Sequence, residues 1–208
     1  MEQEHDFDSV DDLAAAYGAP SERAANKELT ALDAHCRTIV AHSPFLTLAT
    51  AGKDGTLDCS PRGDAPGFVR VIDDHTLAIP DRKGNNRADS LKNILEHPQV
   101  GILFMIPGMN ETLRVNGRAR ISRDPQLCES FTVNGRAARS VLLVTVEQAF
   151  LQCAKALVRS KLWDPDARVE RQSLPSMGRM LADHVKGLDA EAFDREAQEM
   201  ARNPDALY

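Results

Sequence analysis

The sequence predicts a mainly β protein, a closed or partly closed antiparallel barrel with helices added at both ends. Three observations carry this. From Phe45 onward, short apolar segments follow one another in hairpin order, separated by turn residues. One helical stretch, about Asn86 to His97, interrupts them midway. Strands and helices do not otherwise alternate and no G-x-G-x-x-G occurs, which removes a doubly wound dinucleotide fold.

The elements follow in order. Ser9 is a helix-capping residue with an acidic residue three positions on, and Leu13 to Ala16 continue the helix until Gly18 and Pro20 stop it. A second helix is predicted from Ser21 to about Ala41, on the spacing of Leu29, Leu32, Ile39 and Val40. Strands are then predicted over Phe45–Thr50 and Thr56–Ser60, joined at Gly52-Lys53-Asp54-Gly55. Gly67–Ile72 and Thr76–Pro80 form the next pair, around Asp73-Asp74-His75. After the midway helix, ended by Pro98, come a buried strand over Val100–Ile106 and a long one over Glu111–Ser122. In the long strand Leu113, Val115, Ala119 and Ile121 share a face. A short helix over Asp124–Phe131, a strand over Ser140–Val146 and a helix over Gln148–Arg159 follow. Two weaker helices, Met177–Lys186 and Ala190–Arg202, close the chain. The expected organisation is a helical extension over 1–44, the barrel over 45–165, and a helical extension over 166–208 packed on the same domain.

Composition narrows the function. The chain has 208 residues, 42% hydrophobic and 27% charged, and a formal net charge of −6. A broad electrostatic grip on nucleic acid or anionic lipid is not expected, so a bound anion needs a local basic cluster. No apolar run approaches the length of a membrane span, and the acidic start, Met1 through Asp8, lacks the pattern of a signal peptide; a cytoplasmic protein is expected. Four scattered cysteines and six dispersed histidines suggest neither a disulfide frame nor a metal site. No Ser–His–Asp set or glycosidase carboxylate pair stands out.

The chemistry concentrates in Pro80-Asp81-Arg82-Lys83-Gly84-Asn85-Asn86-Arg87-Ala88-Asp89-Ser90, between a strand end and a helix start. Arginine offers phosphate a planar fork, lysine a mobile point charge, and a first helical turn adds free N–H groups. An ordinary solvated turn, with Asn and Gly chosen for left-handed geometry, has the same composition. A second loop, Ser60-Pro61-Arg62-Gly63-Asp64-Ala65-Pro66-Gly67, has two readings: Arg62 pairs with Asp64, or Arg62 donates to a ligand. Cys59 beside it reads as a small buried thiol. His35 and His42 read as helix-surface or packing residues.

These segments, followed by Glu111-Thr112-Leu113-Arg114-Val115-Asn116-Gly117-Arg118-Ala119, resemble in order and spacing the FMN-binding split-barrel superfamily. More narrowly they are similar to the FMN-dependent branch of the pyridoxamine 5'-phosphate oxidase class. The resemblance runs from about Phe45 to Trp163. It implies an antiparallel split β-barrel of the FMN-binding type that acts as a homodimer on a small-molecule substrate or electron donor. By position, Arg62 and the corner formed by Arg82, Lys83, Asn85, Asn86, Arg87 and Ser90 would hold the phosphate and ribityl chain. Pro80 and Asp81 would lie near the flavin ring, and Thr112 would reach the cofactor of the partner subunit. Trp163, the only tryptophan, either flanks the flavin or packs in a core or dimer contact. Lys155 and Arg159, four apart, either add charge near the cofactor or are solvated. The oxidases' carboxy-terminal arginine–histidine segment has no counterpart, which leaves the substrate open. The function implied is an FMN-dependent oxidoreductase. The alternatives are a non-catalytic flavin-binding or electron-carrier module, and a deazaflavin- or haem-binding split barrel.

Overall fold

A computed structural model of the chain describes residues 6–208. Residues 1–5, which hold part of the acidic start, lie outside the described residues. Seven strands form one antiparallel sheet: β1 Phe45–Ala51, β2 Leu57–Gly63, β3 Arg70–Asp73, β4 Thr76–Asp81, β5 Gln99–Met105, β6 Thr112–Ser122 and β7 Ser140–Gln152. Their order across the sheet is β2-β1-β5-β6-β7-β4-β3. β2 and β3 are therefore the two edges, and the barrel is split between them. Among the described residues, no helix is long and apolar enough to cross a membrane.

Alternation sets the interior. Leu46 and Leu48 on β1 pair with Phe104 and Ile102 on β5, and all four are buried. Val115 and Ala119 on β6 meet Ala149 and Val144 on β7 in the same core. β4 is buried on both faces: Leu77 and Ile79 face this core, while Ala78 joins Cys128, Phe131 and Val141 in a second cluster. A strand covered on both sides reads as a continuous apolar run, as Leu77-Ala78-Ile79 does.

Among the described residues, eight α-helices surround the sheet: α1 Val10–Tyr17, α2 Glu22–Ala25, α3 Ala34–His42, α4 Asp89–Glu96, α5 Pro125–Ser130, α6 Lys155–Ser160, α7 Met177–His184 and α8 Ala190–Arg202. Ser9 caps α1 as the sequence indicates, accepting from the Asp12 amide. The single helix expected over Ser21–Ala41 is instead two. Leu29 exchanges backbone hydrogen bonds with Ala149 at 2.9 and 2.8 Å, and the Leu32 amide donates to the Asp74 carbonyl at 2.7 Å. Asp33 then caps α3 by accepting from the Cys36 amide. Backbone pairing with the barrel thus overrides the apolar spacing of this stretch.

Two further boundaries move. The strand expected from Gly67 begins at Arg70, because the Phe68 amide closes a turn onto Ala65 and Gly67 sits at φ 86°. The helix expected over Gln148–Arg159 is only Lys155–Ser160, since β7 runs to Gln152. The register of β6 and β7 shifts at Asn116/Gly117, where Glu147 is the extra residue on β7. Inward positions on β7 therefore change from Leu142, Val144 and Val146 to Ala149, a phase change that strict alternation conceals. Gly117 faces this bulge: a Cβ there would lie 2.0 Å from the Thr145 carbonyl oxygen.

Candidate functional site

A cleft of about 930 Å³ opens between the inward face of β2, the end of β4, the loop 82–88 and the start of α4. Alternation along β2 turns Asp58, Ser60 and Arg62 into it, and leaves Leu57 and Cys59 on the outer face; Pro61 lies at its edge. Cys59 is accordingly exposed, which corrects its reading as a buried thiol.

The inward residues of β2 form a polar relay with α4. Arg62 donates from Nη2 to the Ser90 hydroxyl at 3.2 Å. Ser90 gives its one proton to Asp58, which also accepts from Ser60. Ser90 is only 2% exposed, so it anchors Arg62 from the wall of the cleft. Of the two readings of the second loop, pairing of Arg62 with Asp64 does not occur. Asp64 pairs with Arg82, whose Nε lies 2.9 Å from Oδ2, and Arg82 Nη1 donates to the Phe131 carbonyl at 2.7 Å. A second, smaller cavity of about 190 Å³ shares Asp81, Arg82, Lys83 and Arg139 with the cleft and is closed by Arg136, Ala137 and Tyr208.

The loop before α4 is left-handed at Asn86 and Ala88, with φ of 62° and 56°. That geometry, together with the Arg87 amide donating to the Asn85 side chain, delays the helix to Asp89 rather than Asn86. Arg87 therefore precedes the helix instead of opening it, exposed and paired with Asp89 at 2.8 Å. This pairing holds the Asp89 carboxyl below the usual carboxylate range. Ala88, at the cap position, offers no side chain to the first amides of α4.

Of the residues singled out from sequence, Arg62, Pro80, Asp81, Arg82, Lys83, Asn85, Asn86, Arg87 and Ser90 all line the one cleft. Thr112 and Trp163 do not. Thr112 is buried at the end of β6 opposite the cleft-lining Ile121, about 30 Å away along an extended strand. The Trp163 indole N–H donates to the Met109 carbonyl at 2.8 Å, which fastens it to the β5–β6 loop.

The structure adds residues that the sequence does not mark. Arg139 joins through β7, because Asp81 pairs with Ser140 in the β4–β7 register, and its Nη1 donates to the Asn86 side chain at 2.8 Å. Arg123 follows the end of β6. Phe68, Leu91, Leu95 and Ile121 supply an apolar wall. Period-2 counting back from Arg62 identifies Ser60 and Asp58; nothing local to Arg139 identifies it.

The cleft is electropositive. Six cationic side chains line it (Arg62, Arg82, Lys83, Arg87, Arg123 and Arg139) against three carboxylates (Asp58, Asp81 and Asp89). Burial pushes the Asp81 carboxyl above the usual carboxylate range, and the nearby Arg62 and Arg139 guanidinium groups pull it partly back. In a chain of net charge −6 this is a local concentration of positive charge with an apolar side.

Residues 32–153 match the family model described as pyridoxamine 5'-phosphate oxidase. No curated protein matches the chain. Among solved structures, HupZ from Group A Streptococcus is similar over 57% of this chain and 92% of its own, at 16% identity and a TM-score of 0.47. General Stress Protein 26 from Bacillus anthracis is similar over 55% of this chain and 88% of its own, at 18% identity and TM-score 0.42. An FMN-binding protein from Syntrophomonas wolfei is similar over 56% and 83%, at 12% identity and TM-score 0.45.

Proposed function

Because the chain belongs to the pyridoxamine 5'-phosphate oxidase family, we propose that the cleft binds FMN and that the protein is an FMN-dependent oxidoreductase working as a homodimer. The observation that carries this reading is the convergence of six cations and an apolar wall on one cleft of an otherwise acidic protein. Its volume of about 930 Å³ falls in the range of cofactor pockets.

The residues present fit the group. Lys83 and Arg62 have no carboxylate within ion-pair distance among the described residues, so their charge is available to a phosphate. Arg139, bonded to the neutral Asn86 side chain, is in the same position. The uncapped amides at the start of α4 add donors on the same side. Phe68, Leu91 and Ile121 offer the apolar surface a ring system needs, and Asp81 in the same cleft offers an acceptor for a ring N–H. Bound FMN would supply hydride or electron chemistry; the side chains bind it, orient it and set the charge around it.

The homodimer carries the roles of Thr112 and Trp163. Neither lines the cleft of its own chain, so each serves a cofactor only at the cleft of a second copy. The substrate is a small molecule or an electron donor reaching the open side of the cleft.

Purified protein should be yellow, with a flavin absorption spectrum, and the released cofactor should have the mass of FMN. Sedimentation should show a dimer at micromolar concentration. A colourless protein that takes up no FMN overturns the cofactor, and a flavin-loaded monomer overturns the assembly.

A further inference from the structure

The family match ends at Cys153, yet the segment 204–208 returns from α8 to the wall of the candidate site. Arg136 fastens it there by donating to the main-chain oxygens of Asp205 and Tyr208 at 2.7 and 2.6 Å. Asn134 adds a bond to the Asp205 carboxylate at 3.0 Å. The Tyr208 hydroxyl donates to Asp64 Oδ1 at 2.6 Å, and its ring lies 5.5 Å from the Arg82 guanidinium.

Asp64 is thus shared. Its side chain is 3% exposed; Oδ2 takes Arg82 Nε, and Oδ1 takes both the Ala65 amide at 2.7 Å and the Tyr208 hydroxyl. A carboxylate beside an arginine ordinarily accepts two parallel bonds from the fork, here Nε and Nη2. The Ala65 amide takes one lone pair of Oδ1 and Tyr208 the other, which the second bond needs. Nη1 is held by the Phe131 carbonyl, and among the described residues Nη2 has no protein partner. Arg82 borders both the cleft and the smaller cavity.

We propose that Tyr208 is a positioning residue of the cofactor site: by occupying Asp64 Oδ1 it keeps the Arg82–Asp64 pair single-bonded and leaves Arg82 Nη2 for the phosphate of the ligand. The proposal rests on the FMN reading above and goes beyond it, since it brings a segment outside the matched family region into the site. With the Ala65 amide keeping its own lone pair of Oδ1, removing the hydroxyl opens the other. Arg82 then satisfies it with Nη2 and closes into the two-pronged pair, and the nitrogen meant for phosphate is lost.

The test compares FMN and riboflavin affinities, by quenching of flavin fluorescence, in the wild-type chain and in Tyr208→Phe. FMN affinity should fall about threefold to tenfold, the worth of one net hydrogen bond, while riboflavin affinity stays within about twofold. A purely structural Tyr208 predicts equal losses for both flavins together with a lower melting temperature. Asp64→Asn removes the charge that captures Arg82, so Tyr208→Phe should add no further loss in that background. An unchanged FMN-to-riboflavin ratio in Tyr208→Phe, or a loss that is additive with Asp64→Asn, overturns the proposal. Wild-type protein that binds the two flavins equally overturns the FMN reading and this proposal with it, so the two failures are told apart by the wild-type arm alone.

Discussion

Replacing Arg62 with alanine separates folding from binding. In the folded chain Arg62 donates to two neutral oxygens, the Ser90 hydroxyl at 3.2 Å and the adjacent Pro61 carbonyl at 2.9 Å. No carboxylate lies within ion-pair distance of it among the described residues. Losing these two bonds costs the fold roughly 1–3 kcal/mol, about 0.5–1.5 kcal/mol each, and Ser90 keeps Asp58 as its acceptor. A charge-assisted bond from the same guanidinium to phosphate is worth about 1.5–3 kcal/mol, or about ten- to 150-fold in dissociation constant. Arg62→Ala should therefore bind FMN at least about tenfold more weakly, with riboflavin changed by less than about threefold and the flavin-free protein losing no more than about 3 kcal/mol in urea denaturation. Fluorescence titration of both flavins measures this directly. Unchanged FMN affinity, or an equal loss for riboflavin, refutes the placement of phosphate beside Arg62.

Other substitutions test other parts of the structure. Arg82→Ala leaves the buried Asp64 carboxylate without its cation, so it should destabilise the fold by about 3–5 kcal/mol in urea denaturation; a change below about 1 kcal/mol contradicts the buried pair. Gly117→Ala puts a methyl group 2.0 Å from the Thr145 carbonyl oxygen, and the β6–β7 bulge should lose about 1–3 kcal/mol or more; wild-type stability would show that the bulge is not formed. Asp81 has a folded-state pKa raised by burial, so its ionisation opposes folding above that pKa and not below its ordinary value of 3.8. Asp81→Asn should accordingly stabilise the protein at pH 7, with the gain shrinking as pH falls toward 4, and a gain independent of pH contradicts this assignment.

The mainly antiparallel fold is legible because its core strands alternate cleanly. Leu46 and Leu48, and the odd-numbered apolar residues of β6, point inward as period 2 requires. Legibility fails where a distant partner decides. Residues 26–33 carry helical spacing but are drawn out by the Leu29–Ala149 and Leu32–Asp74 backbone bonds, which lie far apart in sequence. The second half of β7 has the spacing of a helix because the Glu147 bulge reverses its inward phase. The cleft is legible in part for the same reason. The run from Pro80 to Ser90 is contiguous, so its residues arrive at one place whatever the topology. Arg139 and Tyr208 reach that place only through the β4–β7 register and the return of the tail, and neither leaves a local signal. Asp64 has Arg62 two residues away on the same stretch, yet Arg62 points into the cleft, while Arg82, distant in sequence, points at the carboxylate.

The central claim is that this cationic cleft holds a flavin by its phosphate, and one measurement bears on it most directly. Flavin-free protein titrated with FMN and with riboflavin, at the same salt concentration, reads the contribution of the phosphate alone, because the two ligands share ring and ribityl chain. The cations lining the cleft predict FMN affinity at least about a hundredfold above that of riboflavin, about 2.7 kcal/mol, with the difference narrowing as salt rises. Equal affinities for the two flavins, or no binding of either, would contradict it.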